Sequence, residues 1–177
     1  MAKLDVEKLN RINEGAYDAK LGDKLDLLLQ YLNLLNKGSG LVNAVTLTNS
    51  TTALSVSAHN AIVNGVPIYK AAGTQALAAT TDDVAIDKWA SFRVSINASG
   101  TVAITRAADV DTEALAIANL AAVPANSANL GYFTVRGGTA GIFDATTTNL
   151  QTGAVTGMVV NFYPATPLLP AAVPQLV

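Results

Sequence analysis

The sequence predicts a mainly β protein: an antiparallel β-sandwich or jelly-roll-like domain over residues 41–163, an N-terminal helical segment over 1–40, and an extended Pro-rich C-terminal arm over 164–177. Three observations predict this. Residues 41–163 divide into short runs rich in Val, Thr, Ile and aromatics, separated by clusters of Asn, Ser, Gly, Thr and Asp. Charge is dense before Gly38 and sparse after it. Prolines at 164, 167, 170 and 174 exclude helix and central strand from the last stretch.

The N-terminal segment is set apart by its charge. Residues 1–37 hold six basic residues (Lys3, Lys8, Arg11, Lys20, Lys24, Lys37) and six acidic ones (Asp5, Glu7, Glu14, Asp18, Asp23, Asp26). The stretch KLGDKLDLLLQYLNLLNKGSG, residues 20–40, carries Leu21, Leu25, Leu28, Leu32 and Leu35 in alternating steps of four and three. That is a helical seam of period 3.5. Leu29 widens it, Gly38 suits a left-handed C-cap, and GSG at 38–40 is a hinge. Upstream, Leu4, Val6, Leu9 and Ile12 suggest a weaker helix, with Gly15 and Gly22 loosening the connection. Such a stripe needs a partner surface, either the downstream domain or other copies of the chain. Self-association in a short bundle is the sharper expectation.

The strand candidates follow in order: 41–49, 53–58, 66–70, 89–97, 101–106, 130–136 and 156–163. The clearest pair is SFRVSIN-ASG-TVAITR. Phe92, Val94 and Ile96 alternate with Ser91, Arg93 and Ser95, and a turn around Asn97–Gly100 leads into Val102 and Ile104. This is a hairpin with one face expected to be buried. The segment DTEALAIANLAAVP, residues 111–124, is the helical candidate, with Asp111 as N-cap and Pro124 past its end. The arm PATPLLPAAVPQLV is uncharged and carries Leu168, Leu169, Val173, Leu176 and Val177. It reads as polyproline II backbone lying on another surface, the alternative being a frayed terminus.

Composition excludes several classes of function. Only 14% of residues are charged, against about 25% in ordinary soluble domains. Lys70, Lys88, Arg93, Arg106 and Arg136 are the cations beyond residue 37, too few for a phosphate-binding surface. Neither nucleic acid nor membrane is an expected partner. Without cysteine there is no disulfide or thiolate site. The start, MAKLDVEKLNR, lacks the apolar run of a secretory signal, and no stretch approaches the ~20 apolar residues that cross a bilayer. Synthesis in the cytoplasm is expected.

The candidate chemical residues do not assemble into a site. His59 is the single histidine, so multi-histidine metal binding is excluded, and a strand end or turn is its expected place. No GxSxG context supports a nucleophile. Asp109, Asp111 and Glu113 alternate like the start of a calcium loop but lack its later Glu, and helix capping accounts for them better. Asp82, Asp83 and Asp87 read as a solvated loop. The glycines of VRGGTAGIF, residues 135–143, are followed by no GK[ST] and suit a hairpin turn. NST at 49–51 and NAS at 97–99 match a glycosylation triplet of little weight here. Trp89, Phe92, Tyr132, Phe133, Phe143, Phe162 and Tyr163 have strand spacing, which favours core over a sugar-stacking platform. The expectation is a non-enzyme with no catalytic, cofactor or metal residues.

Residues 88–150 bring a resemblance. They contain a strand pair around SGTV, an Ala-rich helix ending in Pro, the strand LGYFTV and then GIFDATTTNL. In this order the stretch resembles the head decoration and head-fibre proteins on the surface of tailed-bacteriophage virions. The resemblance covers about a third of the chain. It implies a homotrimeric β-rich knob fixed to a capsid, with the major capsid protein or another virion protein as partner and the virion as location. Attachment and oligomerisation then fall to Leu21, Leu25, Leu28, Leu32, Leu35, Leu168, Leu169 and Leu176. The alternative is a tail-fibre, receptor-binding or carbohydrate-binding module of the same fold, exposing an aromatic or carboxylate cluster.

Overall fold

The computed structural model describes residues 38–167 and, before them, positions 22, 24–26, 28, 29 and 32. Among these the strands are β1 (Gly40–Leu41), β2 (Leu47–Ser50), β3 (Ala53–Val56), β4 (His59–Val63), β5 (Val66–Lys70), β6 (Gly73–Ala76), β7 (Trp89–Asn97), β8 (Val102–Arg106), β9 (Ser127–Arg136) and β10 (Val159–Pro164). One short helix, α1 (Glu113–Ala118), lies between β8 and β9. All pairings are antiparallel, in three sheets ordered β10-β9-β7-β8, β1-β4-β5 and β2-β3-β6. The chain is mainly β and sandwich-like, as expected.

Each sheet gives one apolar face to a single core. Leu41, Ala61 and Val63 come from one three-stranded sheet, and Leu47, Leu54 and Val56 from the other. Phe92, Val94, Ile96, Phe133 and Val135 face them from the four-stranded sheet. Phe92 and Phe133 stand opposite each other in the register and stack with centroids 4.7 Å apart. Burying side chains of this size contributes about 1.5–3 kcal/mol each.

The hairpin β7–β8 forms where the alternation places it. Asn97 Oδ1 accepts from the backbone N–H of Ser99 and Thr101, and Gly100 takes the left-handed conformation that closes the turn. Its burial differs from the expected single face: Ser91, Ser95 and the neighbouring Thr134 are as buried as the core residues they alternate with. Helix α1 packs over this second face, and the Ala121 carbonyl beyond it accepts from Arg93 Nε. Small hydroxyl side chains let the helix approach, so they are enclosed without being apolar.

Other expectations need correction. The run 41–49 splits into β1 and β2. Strands β4 and β6 were not expected, since HNAIV follows the run 53–58 with no Gly or Pro between them and GTQA has little β propensity. The helix is shorter than 111–124, and Thr112, not Asp111, caps it by accepting from the Leu115 N–H. Residues 135–143 are no tight hairpin turn. They end β9 and open a long connection to β10, whose Phe143 exchanges backbone hydrogen bonds with Val84 from the segment before β7. Gly137 is needed there because a Cβ would collide with the Ala85 carbonyl. Gly22, expected to loosen the N-terminal segment, is helical.

β5 is an open edge, and its proline fits that place. Asn60 turns its backbone toward β1, accepting from Val42 N–H and donating to Asn43 Oδ1. Its neighbour Tyr69, and by alternation Pro67, therefore turn their backbone groups away from β4. The missing N–H of Pro67 costs no ladder bond.

Candidate functional site

The described helical residues before the β domain include four leucines. Leu25, Leu28, Leu29 and Leu32 are 36%, 51%, 56% and 50% exposed. Burying them would remove a large apolar area from water, and within the described residues no surface does so. Leu21, Leu35, Leu168, Leu169 and Leu176, the other expected attachment residues, lie outside the described residues, as does the weaker helix expected upstream.

The β domain's carboxylates and four of its five cations have partners within it. Lys88 pairs with Asp111, Arg106 with Asp109, and Arg136 with Asp87 at 2.8 Å. Arg93 Nη1 donates to Asn129 Oδ1 at 3.1 Å, and burial pushes its guanidinium below the ordinary value. Asp82 accepts from Ala78 N–H and Asp83 from Ala145 N–H, so the expected solvated loop is a pinned one. Asp144 accepts from the Thr146 backbone and hydroxyl and from Thr147 N–H, which holds its carboxyl down at about 2. Each of the seven carboxylates beyond residue 37 thus has an internal partner. No group of three His, Cys, Asp or Glu able to hold a metal occurs among the described residues.

Glu113 gathers its partners from distant parts of the chain. Sitting in the first turn of α1, its Oε1 accepts from Thr134 Oγ1 at 2.6 Å, Asn161 Nδ2 at 2.8 Å and the Tyr163 hydroxyl at 3.0 Å. Burial opposes its charge, but those three hydrogen bonds outweigh it and hold the carboxyl below its ordinary 4.5. Tyr163 stacks on Tyr132 with centroids 4.7 Å apart, and burial and the Glu113 hydrogen bond raise its hydroxyl. Glu113 was expected only as a capping acid. Its real partners lie 21 to 50 residues away, beyond the reach of local pattern.

His59 opens β4 and is enclosed. Its Nδ1–H donates to the Ser57 carbonyl at 2.8 Å, and its Nε2 is buried with no partner among the described residues. The aromatics weighed as a platform are all buried or half-buried. Among the described residues the exposed aromatic is Tyr69, at 69%, which strand spacing alone did not single out. It borders a groove of about 390 Å³ lined by Val42, Asn60, Ala61, Pro67, Ile68 and itself. A second groove, about 360 Å³, lies between Lys70–Gln75, Val56 and Val102.

Comparison of the chain with protein-family models, curated proteins and solved structures finds no match.

Proposed function

We propose that the protein is a structural component of a bacteriophage virion that decorates or stabilises the capsid as a homo-oligomer, a trimer. The observation that carries the reading is the row of exposed leucines at 25, 28, 29 and 32, together with a β domain whose carboxylates all have partners of their own. A leucine stripe is stabilised only when covered, and closed symmetry lets identical copies cover one another. A β surface of Thr, Ser, Asn and Ala with its acids already paired has little left for ion-pair specificity. That inertness suits a protein present in many copies on one shell. The resemblance of residues 88–150 points the same way. The chain would be made in the host cytoplasm and end in the virion.

The competing module that binds a receptor or glycan needs an exposed aromatic or carboxylate cluster. Tyr69 stands alone as an exposed aromatic among the described residues, and the seven carboxylates beyond residue 37 have internal partners. The test joins two measurements on the intact chain. Light scattering should give about three times the 18.2 kDa chain mass, and bare phage capsids should co-sediment the protein saturably. A monomer at micromolar concentration that ignores capsids would end the reading.

A further inference from the structure

We infer that the groove between β6 and β8 receives an extended, acidic segment of a partner protein. Lys70, Gly73, Thr74 and Gln75 line it together with the apolar Val56 and Val102. Gly73 stands opposite Val56 in the register, and a Cβ on it would meet nothing within 4 Å. The groove is thus partly the room that a side chain at 73 would take.

Two open strand edges border it. Ser57 N–H bonds to the Thr46 carbonyl, so by alternation Ala53 and Ser55 turn their backbone toward β2. Leu54 and Val56 then bond to Gln75 and Gly73, and Thr74 turns its N–H and C=O to the free side of β6. On β8, the bonds of Ala107 N–H to Ser91 and Asn97 N–H to Thr101 leave Val102 and Ile104 facing away from β7. Both strands are the last in their sheets, and these groups have no backbone partner among the described residues. An extended peptide completes such an edge with main-chain hydrogen bonds and sets alternate side chains into the adjoining pocket.

Charge selects the peptide. Lys70 is half-buried in the groove lining, and it is the β-domain cation with no partner among the described residues. Lys88, Arg106 and Arg136 pair with acids, and Arg93 donates to Ala121 and Asn129. A carboxylate brought to the Lys70 ammonium makes a charge-assisted hydrogen bond. The seven carboxylates of the β domain already have partners, so the same domain of a second copy has none to spare. No charged residue lines the groove beside Tyr69. Lys70 would accept such a segment whether or not the chain belongs to a virion.

The probe is the peptide acetyl-Thr-Val-Thr-Asp-Thr-Val-Thr-amide, whose Val and Asp side chains share one face when extended. Added at about millimolar concentration to the ¹⁵N-labelled full-length chain, it should shift the amides of Lys70, Gly73, Thr74 and Val102 saturably. The same peptide with Asn in place of Asp should bind about tenfold more weakly, the loss expected for one charge-assisted hydrogen bond, and so should the original peptide to Lys70→Gln. Gly73→Val places its side chain in open space at a φ outside the left-handed region, so it should keep the fold and close the groove to the peptide. No saturable shift, shifts centred elsewhere, or binding unchanged by Asn, by Lys70→Gln or by Gly73→Val would overturn the inference. So would equal shifts from sodium acetate alone, which needs no strand edge. Light scattering of Lys70→Gln should give the wild-type mass, and a smaller mass would overturn the inference by making a second copy the occupant.

Discussion

The Glu113 carboxylate and the Tyr163 hydroxyl meet at 3.0 Å, joining the start of α1 to the edge strand β10 across 50 residues of chain. The same oxygen also holds Thr134 and Asn161, on β9 and β10. Glu113 is thus the tie between the short helix and the second face of the four-stranded sheet. A six-residue helix has little stability of its own, so tertiary contacts must hold it.

A pH dependence follows. Because the folded carboxyl lies below its ordinary 4.5, the unfolded chain binds the proton more readily. Stability from this group is present above about pH 4.5 and is lost as pH falls through the folded value. Arg93, on the same sheet face, keeps its charge over that range. Glu113→Gln should cost about 1 kcal/mol at neutral pH, at the low end for a hydrogen-bonded charge because the site is partly solvated. Its loss of stability on acidification should be shallower than wild type but not absent, since Asp111 and Asp144 are also held low. Urea titrations at neutral and acid pH measure both effects. Parallel acid limbs would show that the tie contributes nothing.

Gly131 makes a second prediction. Opposite Val94 the register of β9 slips by one residue, leaving Leu130 as the extra residue of a bulge. Gly131 follows it at φ +127, and a Cβ there would lie 2.8 Å from both Ala165 N and Pro164 Cα. Gly131→Ala should therefore lower stability by more than about 1 kcal/mol and loosen the end of β10. Hydrogen exchange at the Ala165 amide reports the loosening directly. Unchanged protection there would mean that β10 is not seated on the bulge.

The contrast between these two sites explains what was legible in the sequence. Strand β7 and the turn at Asn97–Gly100 could be read because alternation and turn chemistry are local. The leucine stripe on helical Leu25, Leu28 and Leu32 could be read for the same reason. Its partner could not, since a stripe shows that something covers it and not what. Ser91, Ser95 and Thr134 look like a solvent face because polarity is all that a sequence displays, while α1 lies over them in the fold. His59 to Val63 was missed because its strand character comes from pairing on both sides, with β1 and β5. The role of Glu113 depends on three partners assembled only by the sheet.

Removal of divalent cations should leave the melting temperature unchanged. The one calcium-like spacing, Asp109, Asp111 and Glu113, is dispersed by the fold. Asp109 faces Arg106 and the Ala85 N–H, Asp111 faces Lys88, and Glu113 turns to the sheet. Thermal unfolding with and without EDTA decides the matter, and a fall of many degrees would require a cation site these contacts do not provide.

Leu28→Asp should weaken assembly while sparing the β domain. Leu28 is half exposed in the single chain, so placing a carboxylate there costs the monomer only the small difference in helix propensity, about 0.5 kcal/mol. In a bundle the same carboxylate would enter a leucine seam, where an unpaired charge costs several kcal/mol per copy. Every copy carries the change, so a trimer meets it three times. At micromolar concentration, light scattering should therefore move toward the 18.2 kDa monomer mass, with the β circular dichroism signal retained. Ile86→Asp is the matched control: Ile86 is also about half exposed, but it lies on the β domain away from the seam. Loss of assembly with Leu28→Asp and not with Ile86→Asp would assign self-association to the helix. Equal masses for both variants and wild type would leave the leucines without a role in holding copies together.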